Sequence, residues 1–68
     1  MKDFGKRLKE LRLEKNLSSI DLAKELDVSD TTILRWEKEI IMPAIDKLYK
    51  IAVFFGVSAD YLLGLKDY

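Results

Sequence analysis

SSIDLAKELDVSDTTILRWEK, residues 18–38, is the stretch that decides the fold. It reads as two short helices joined by a turn too tight to let them lie side by side. Ser18 is placed to cap the first helix, with Asp21 three residues on as its capping-box partner. Ile20, Leu22, Ala23 and Leu26 are the expected inward residues, and the helix is expected to stop at Leu26. Asp27 then takes a left-handed turn position, which Asp tolerates better than most side chains, and Val28 drops toward the core. Ser29 opens the second helix. At helical spacing Ile33, Trp36 and Glu37 share one side of it, and Asp30, Thr31, Leu34, Arg35 and Lys38 share the other. A helix-turn-helix of this kind holds its second helix proud of the domain.

Working outward, Phe4–Lys15 reads as a first helix with Asp3 as its cap and Phe4, Leu8 and Leu11 as an inward stripe. Asn16 ends it and Leu17 turns inward. Beyond the second helix of the pair, Glu39–Pro43 is a connection, and Pro43 limits any continuation. Ile45–Phe55 reads as a fourth helix with Ile45, Leu48, Ile51, Ala52 and Phe55 facing inward and Gly56 as its stop. Ser58 caps a fifth helix running through Leu63, closed by Gly64. The fold class expected is therefore all-α: a compact five-helix domain with a helix-turn-helix, spanning 1–68 as a single unit.

Composition narrows the function. At 68 residues the chain is close to the lower limit for a fold held by one apolar core, and helices are the economical solution. It has no cysteine and no histidine, so disulfides and the usual zinc ligand sets are excluded. The four serines all stand at helix caps, the three glycines are isolated, and the carboxylates alternate with Lys or Arg as on a solvated face. No catalytic constellation, metal site or cofactor is expected. No apolar run approaches a membrane span, and the start MKDFGKRLKE lacks the apolar centre of a signal peptide, so the cytoplasm is the expected compartment. Net charge is zero but unevenly spread: six cations face three carboxylates over residues 1–17, and three face six over residues 18–39. Nucleic-acid affinity would rest on a few well-placed cations and on pairing of two copies rather than on bulk charge.

LSSIDLAKELDVSDTTILRWEK, followed by Pro43, an amphipathic helix and GVSADYLLGL, resembles the Cro/CI-type phage repressor DNA-binding domain, the lambda repressor-like family, from Phe4 to Leu65. The words are specific in combination, not singly. The chain departs from the family at Ser19, where Gln is usual, at Asp27, where Gly is usual, and at Asp30, where a polar or basic residue is usual. After Trp36-Glu37 the family commonly has Asn-Gly and basic residues; here stand Lys38, Glu39, Ile40, Ile41 and Met42. The resemblance implies a homodimeric, sequence-specific transcriptional regulator, a repressor by this analogy, binding a palindromic operator in double-stranded DNA with helix 30–38 in the major groove.

On that reading Arg35 is the foremost base-reading residue, because a guanidinium bonds guanine O6 and N7 bidentately, with Asp30, Thr31 and Leu34 beside it. Asp30 has two readings: it accepts from a cytosine amino group, or it caps its own helix and repels phosphate. Lys6, Ser18, Ser19, Thr32 and Lys38 are the phosphate candidates, which position rather than specify. Arg12 and Glu37 both border inward faces. Arg12 is either a solvated charge with its stem on the core edge or the partner of Glu37, and the resemblance implies a partly buried ion pair. Phe54, Val57, Tyr61 and Leu65 exceed what so small a core can cover, and in the resembled family the fourth and fifth helices make the two-fold contact.

Ile40-Ile41-Met42 is anomalous, since a connection is usually polar. Either it packs against Trp36 and the fourth helix, or it faces a protein partner. The rival functional reading follows: a helix-turn-helix interaction module with weak DNA binding. A third is the N-terminal domain of a longer repressor.

Overall fold

The computed structural model describes residues 3–68, among which five helices form and no strand. They are α1 (Phe4–Glu14), α2 (Ser19–Leu26), α3 (Asp30–Glu37), α4 (Ile45–Phe55) and α5 (Ala59–Leu62). All five contribute to one core: Phe4 and Leu8 from α1, Leu22, Ala23 and Leu26 from α2, Ile33 and Trp36 from α3, Ile51 from α4 and Leu62 from α5. Leu11, Leu17, Val28, Leu48, Ala52 and Phe55 pack against it from the edge.

Each helix ends in the same way. A residue with positive φ follows the last turn, and the next residue donates its N–H five residues back. The pairs are Leu17 to Arg12, Val28 to Ala23, Ile40 to Arg35, Val57 to Ala52 and Leu65 to Asp60, all between 2.8 and 3.1 Å. The positive-φ residues are Asn16, Asp27, Glu39, Gly56 and Gly64. Such a close satisfies the orphan carbonyls of the last turn and turns an apolar residue back over the helix. Three of the junctions then repeat one phrase, Asn16-Leu17-Ser18, Asp27-Val28-Ser29 and Gly56-Val57-Ser58, in which the serine opens the next helix. Ser18, Ser29 and Ser58 accept from the backbone N–H of Asp21, Thr32 and Tyr61 at 3.0–3.1 Å.

The Ser18 cap is a complete box, since the Ser18 N–H also donates to Asp21 Oδ2 at 3.1 Å. These bonds, backbone first and hydroxyl second, hold the Asp21 carboxyl below its ordinary range. A depressed folded-state value means that the contribution is complete above the unfolded value, about pH 4, and is lost as pH falls through the folded one. Asp21→Asn is accordingly expected to remove part of the acid dependence of stability below about pH 4 while leaving the profile at neutral pH flat. Urea unfolding of both proteins across pH 2–6 checks this.

Four expectations are corrected. Ser19 is not a cap: Ser18 caps α2, and Ser19 is its first helical residue. Asp3 precedes α1 but makes no side-chain cap; its φ is 74°, and Glu39 supplies the acceptor instead, taking the Gly5 N–H at Oε2 from 2.9 Å. Ile20 is exposed, because a residue two before Leu22 points roughly to the opposite side of a helix. Ile45 is 86% exposed: Leu48, Ile51, Ala52 and Phe55 already occupy the side of α4 that meets the core. The helix ends also shift by one residue, with Lys15, Lys38 and Leu63 standing just beyond α1, α3 and α5.

Tertiary polar contacts tie the helices together. Lys47 of α4 donates to the Leu26 carbonyl at 3.0 Å, placing a cation at the C-terminus of α2. Arg7 of α1 donates through Nη1 to the carbonyls of Tyr61 and Lys66 and lies 4.4 Å from the centre of the Tyr61 ring. α1 thus contacts α3 on one side and is clamped to α5 on the other.

Candidate nucleic-acid interface

The outward side of α3 carries the residues read from the sequence. Thr31, Leu34, Arg35 and Lys38 are exposed, and Asp30 is half-buried in the first turn. Opposite them Ile33 and Trp36 are buried, which fixes the rotation of α3 and hence which residues face out. Ser29 holds its N-terminus, and Ser29 Oγ and Thr32 Oγ1 share a hydrogen bond of 2.9 Å.

What locks the base of this helix is the Arg12–Glu37 pair. Arg12 Nε donates to Glu37 Oε2 at 2.7 Å and Nη2 to Oε1 at 3.1 Å, a bidentate fork. The two side chains are 10% and 5% exposed. The hydrogen bond with Glu37, aided by its charge and opposed by burial, raises the Arg12 pKa above its ordinary value. Arg12 Nη1 also donates to the Leu17 carbonyl at 3.0 Å, so one guanidinium joins α1, the connection into α2 and α3. The solvated-charge alternative for Arg12 is thereby set aside.

The phosphate candidates divide. Lys6 and Lys38 are exposed cations, and Ser19 is half-buried in the first turn of α2. Ser18 Oγ accepts the Asp21 N–H in the cap of α2, and Thr32 Oγ1 shares a hydrogen bond with Ser29 Oγ. The connection after α3 resolves one open alternative: Ile40, Ile41 and Met42 are all exposed and stand outside the core. Ile40 occupies the position that turns back over α3, which explains one apolar residue there but not three.

At the opposite end, Phe54, Val57 and Tyr61 are half-buried and pack against the core, while Leu65 is 71% exposed. The larger apolar surface here was missed in the sequence. Ile45, Tyr49 and Val53 are exposed, and with Leu48, Ala52, Gly56, Val57 and Ala59 they line an open groove of about 560 Å³. Their spacing of four is the signal in the sequence, and the inward reading of Ile45 hides it. Among the described residues no metal-binding cluster occurs and no helix is long and apolar enough to cross a membrane.

A capped helix pair with a left-handed turn between them, the second helix rotated by its buried Trp and braced by a buried ion pair, defines a helix-turn-helix domain. The chain belongs to the helix-turn-helix family, which it matches over residues 8–62. It is 41% identical over 61 residues to the HTH-type transcriptional activator BcrR of Enterococcus faecalis, covering 90% of this chain and 30% of that protein. It is 32% identical over 60 residues to the cryptic phage CTXphi transcriptional repressor RstR of Vibrio cholerae, covering 88% and 54%. An uncharacterized HTH-type transcriptional regulator of Methanocaldococcus jannaschii, MJ0272, is 41% identical over 61 residues, with 90% and 92% covered. The chain thus spans about a third of the activator and about half of the repressor. No solved structure matches it significantly. Its relatives are transcriptional regulators, and its family is not one of enzymes.

Proposed function

We propose that this chain is a sequence-specific DNA-binding transcriptional regulator that inserts α3 into the major groove and binds a palindromic operator as a homodimer. The observation that carries it is the outward face of α3, Thr31, Leu34, Arg35 and Lys38, presented on a helix whose rotation is fixed from behind. Arg35 reads guanine, Thr31 and Leu34 meet thymine methyls, and Asp30 accepts from a cytosine amino group. Lys6, Ser18, Ser19, Thr32 and Lys38 take phosphate. The two-fold contact lies on the α4–α5 side, with exposed Leu65 and half-buried Phe54, Val57 and Tyr61. It sets the two reading helices about one DNA turn, roughly 34 Å, apart. Repression is the mode favoured by likeness to the phage repressor, and an activator stands beside it among the relatives.

Selection from a randomised duplex pool, followed by titration of the selected site, tests this. Arg35→Ala is expected to keep the helical content and weaken that site by about 1–3 kcal/mol, relaxing preference at one base pair. Wild-type affinity should fall steeply with salt. A selected pool with no consensus, or affinity indifferent to salt, refutes the reading. One observation favours a second reading, in which a protein is the partner: Ile40, Ile41 and Met42 are exposed together where a phosphate-gripping loop would be basic. Binding that survives Arg35→Ala but is lost in Ile41→Asp would favour it.

A further inference from the structure

We infer that Glu39 is a positioning residue for DNA binding: by latching the end of α3 to the start of α1, it sets Lys38 and Lys6 as one pair of phosphate-holding cations. The inference rests on the DNA-binding reading above and adds a residue outside the outward set of α3. Glu39 Oε2 accepts the Gly5 N–H at 2.9 Å, across 34 residues of sequence. Lys6 follows Gly5, Lys38 precedes Glu39, and both lysines are exposed. One hydrogen bond thus joins the two backbones at the points from which these cations leave.

Backbone strain marks the same residue. Glu39 is held at a φ of 58°. Glu seldom adopts this left-handed region, and a strained residue persists where its surroundings over-determine it. Two contacts do so here: the Ile40 N–H donates to the Arg35 carbonyl at 2.9 Å, closing α3, and the Glu39 carboxylate takes the Gly5 N–H at a helix start that Asp3 leaves without a side-chain cap. The close of α3 alone would suit Gly at least as well. Only the bond to α1 calls for an acceptor on a stem of this length.

Charge placement agrees. Glu37-Lys38-Glu39 reads from the sequence as a self-neutralising triplet. In the fold both carboxylates turn to α1, Glu37 onto Arg12 and Glu39 onto the positive end of the helix, where backbone N–H groups offset its charge. Among the described residues Lys6 and Lys38 enter no ion pair. Lys38 is therefore braced from both sides by α1 and is the charge of the triplet left for an outside anion.

Titration of the selected duplex at several salt concentrations, with amide exchange on the free protein, tests the inference. Glu39→Gly removes the acceptor and the strained side chain together, so helical content should persist while the Gly5 amide loses its protection. Its affinity for the duplex is expected to fall about threefold to tenfold, the scale of one ordered contact, even though a negative charge has been removed. Glu39→Gln keeps an acceptor on the same stem and should recover most of that loss. Lys6→Ala and Lys38→Ala should each weaken binding and lower the salt slope by about one. In the K6A/K38A background, Glu39→Gly should cost nothing further. Higher affinity in both Glu39 variants would mean that the carboxylate only repels phosphate. An equal loss with and without the two lysines would mean that Glu39 acts on the fold alone. Either result, or unchanged Gly5 protection in Glu39→Gly, overturns the inference. The two readings fail distinguishably. A wild type that selects no consensus duplex overturns both, whereas one that selects a site which Glu39→Gly binds equally well leaves the DNA reading standing and removes the role of Glu39.

Discussion

Replacing Glu37 by Gln is expected to destabilise the protein by about 3–5 kcal/mol, a large part of what a domain of this size possesses. The substitution leaves the Arg12 guanidinium buried without its counter-charge, and an uncompensated buried charge costs more than the intact pair contributes. Arg12→Met should cost at least as much, because it also strands the Leu17 carbonyl that Nη1 serves at 3.0 Å. The double variant Arg12→Met, Glu37→Met removes both charges and should recover much of the loss. It should not recover all of it, since the Leu17 carbonyl stays unpaired. Urea denaturation of the four proteins gives the coupling directly. Losses that simply add would show that the fork contributes nothing as a pair. Glu37 stands in the last turn of α3, so variants that keep the fold are expected to lose affinity for DNA through a looser reading helix, even though neither residue faces outward.

Gly5→Ala is the second large effect expected, and its sign runs against helix propensity. Within α1, Ala is intrinsically better than Gly by about 1 kcal/mol. Here, however, a Cβ on Gly5 would lie 2.0 Å from the Glu37 carbonyl oxygen and 2.7 Å from its carbonyl carbon. Both are backbone atoms at the end of α3, so no side chain can swing away. α1 and α3 must separate, stretching the Arg12–Glu37 fork and the bond from the Gly5 N–H to Glu39. Overpacking of this kind costs about 1–3 kcal/mol and occasionally more, and here it is added to weakened polar contacts. A marked fall in the urea midpoint is expected, with chemical-shift changes concentrated in α1 and at the end of α3. A neutral or stabilised Gly5→Ala would mean that the two helices have slack where they cross.

Local rules carried the sequence reading where they act alone. Ser18 with Asp21, the left-handed Asp27, Ser29 and Gly56 need only their neighbours in the chain to be recognised, and all stand where their chemistry puts them. Glu39 was legible in principle. Glu39-Ile40 matches the polar-then-apolar step of Asn16-Leu17 and Asp27-Val28, but Glu is an unfavoured residue for positive φ and the repeat was not recognised in it. Inward residues at helix edges were misjudged. A helical stripe is wider than the strip that its neighbours cover, and Ile45 falls just outside the covered part, whereas Ile20 points away from Leu22.

By itself the sequence determined the class of fold, the order and near-limits of five helices, the caps at Ser18, Ser29 and Ser58, and the outward set on α3. These depend on residues three or four apart, whose geometry the helix repeat supplies without further information. Only the tertiary structure decided that Glu39 rather than Asp3 serves the start of α1, that Gly5 is where two backbones meet, that Arg12 forks onto Glu37, and that Arg7 clamps α5. It alone left Ile40–Met42 outside the core and made Ile45, Tyr49 and Val53 one exposed stripe. Each of these turns on the angle and distance at which helices cross. That is set by the summed packing of side chains far apart in the chain, which no local spacing encodes.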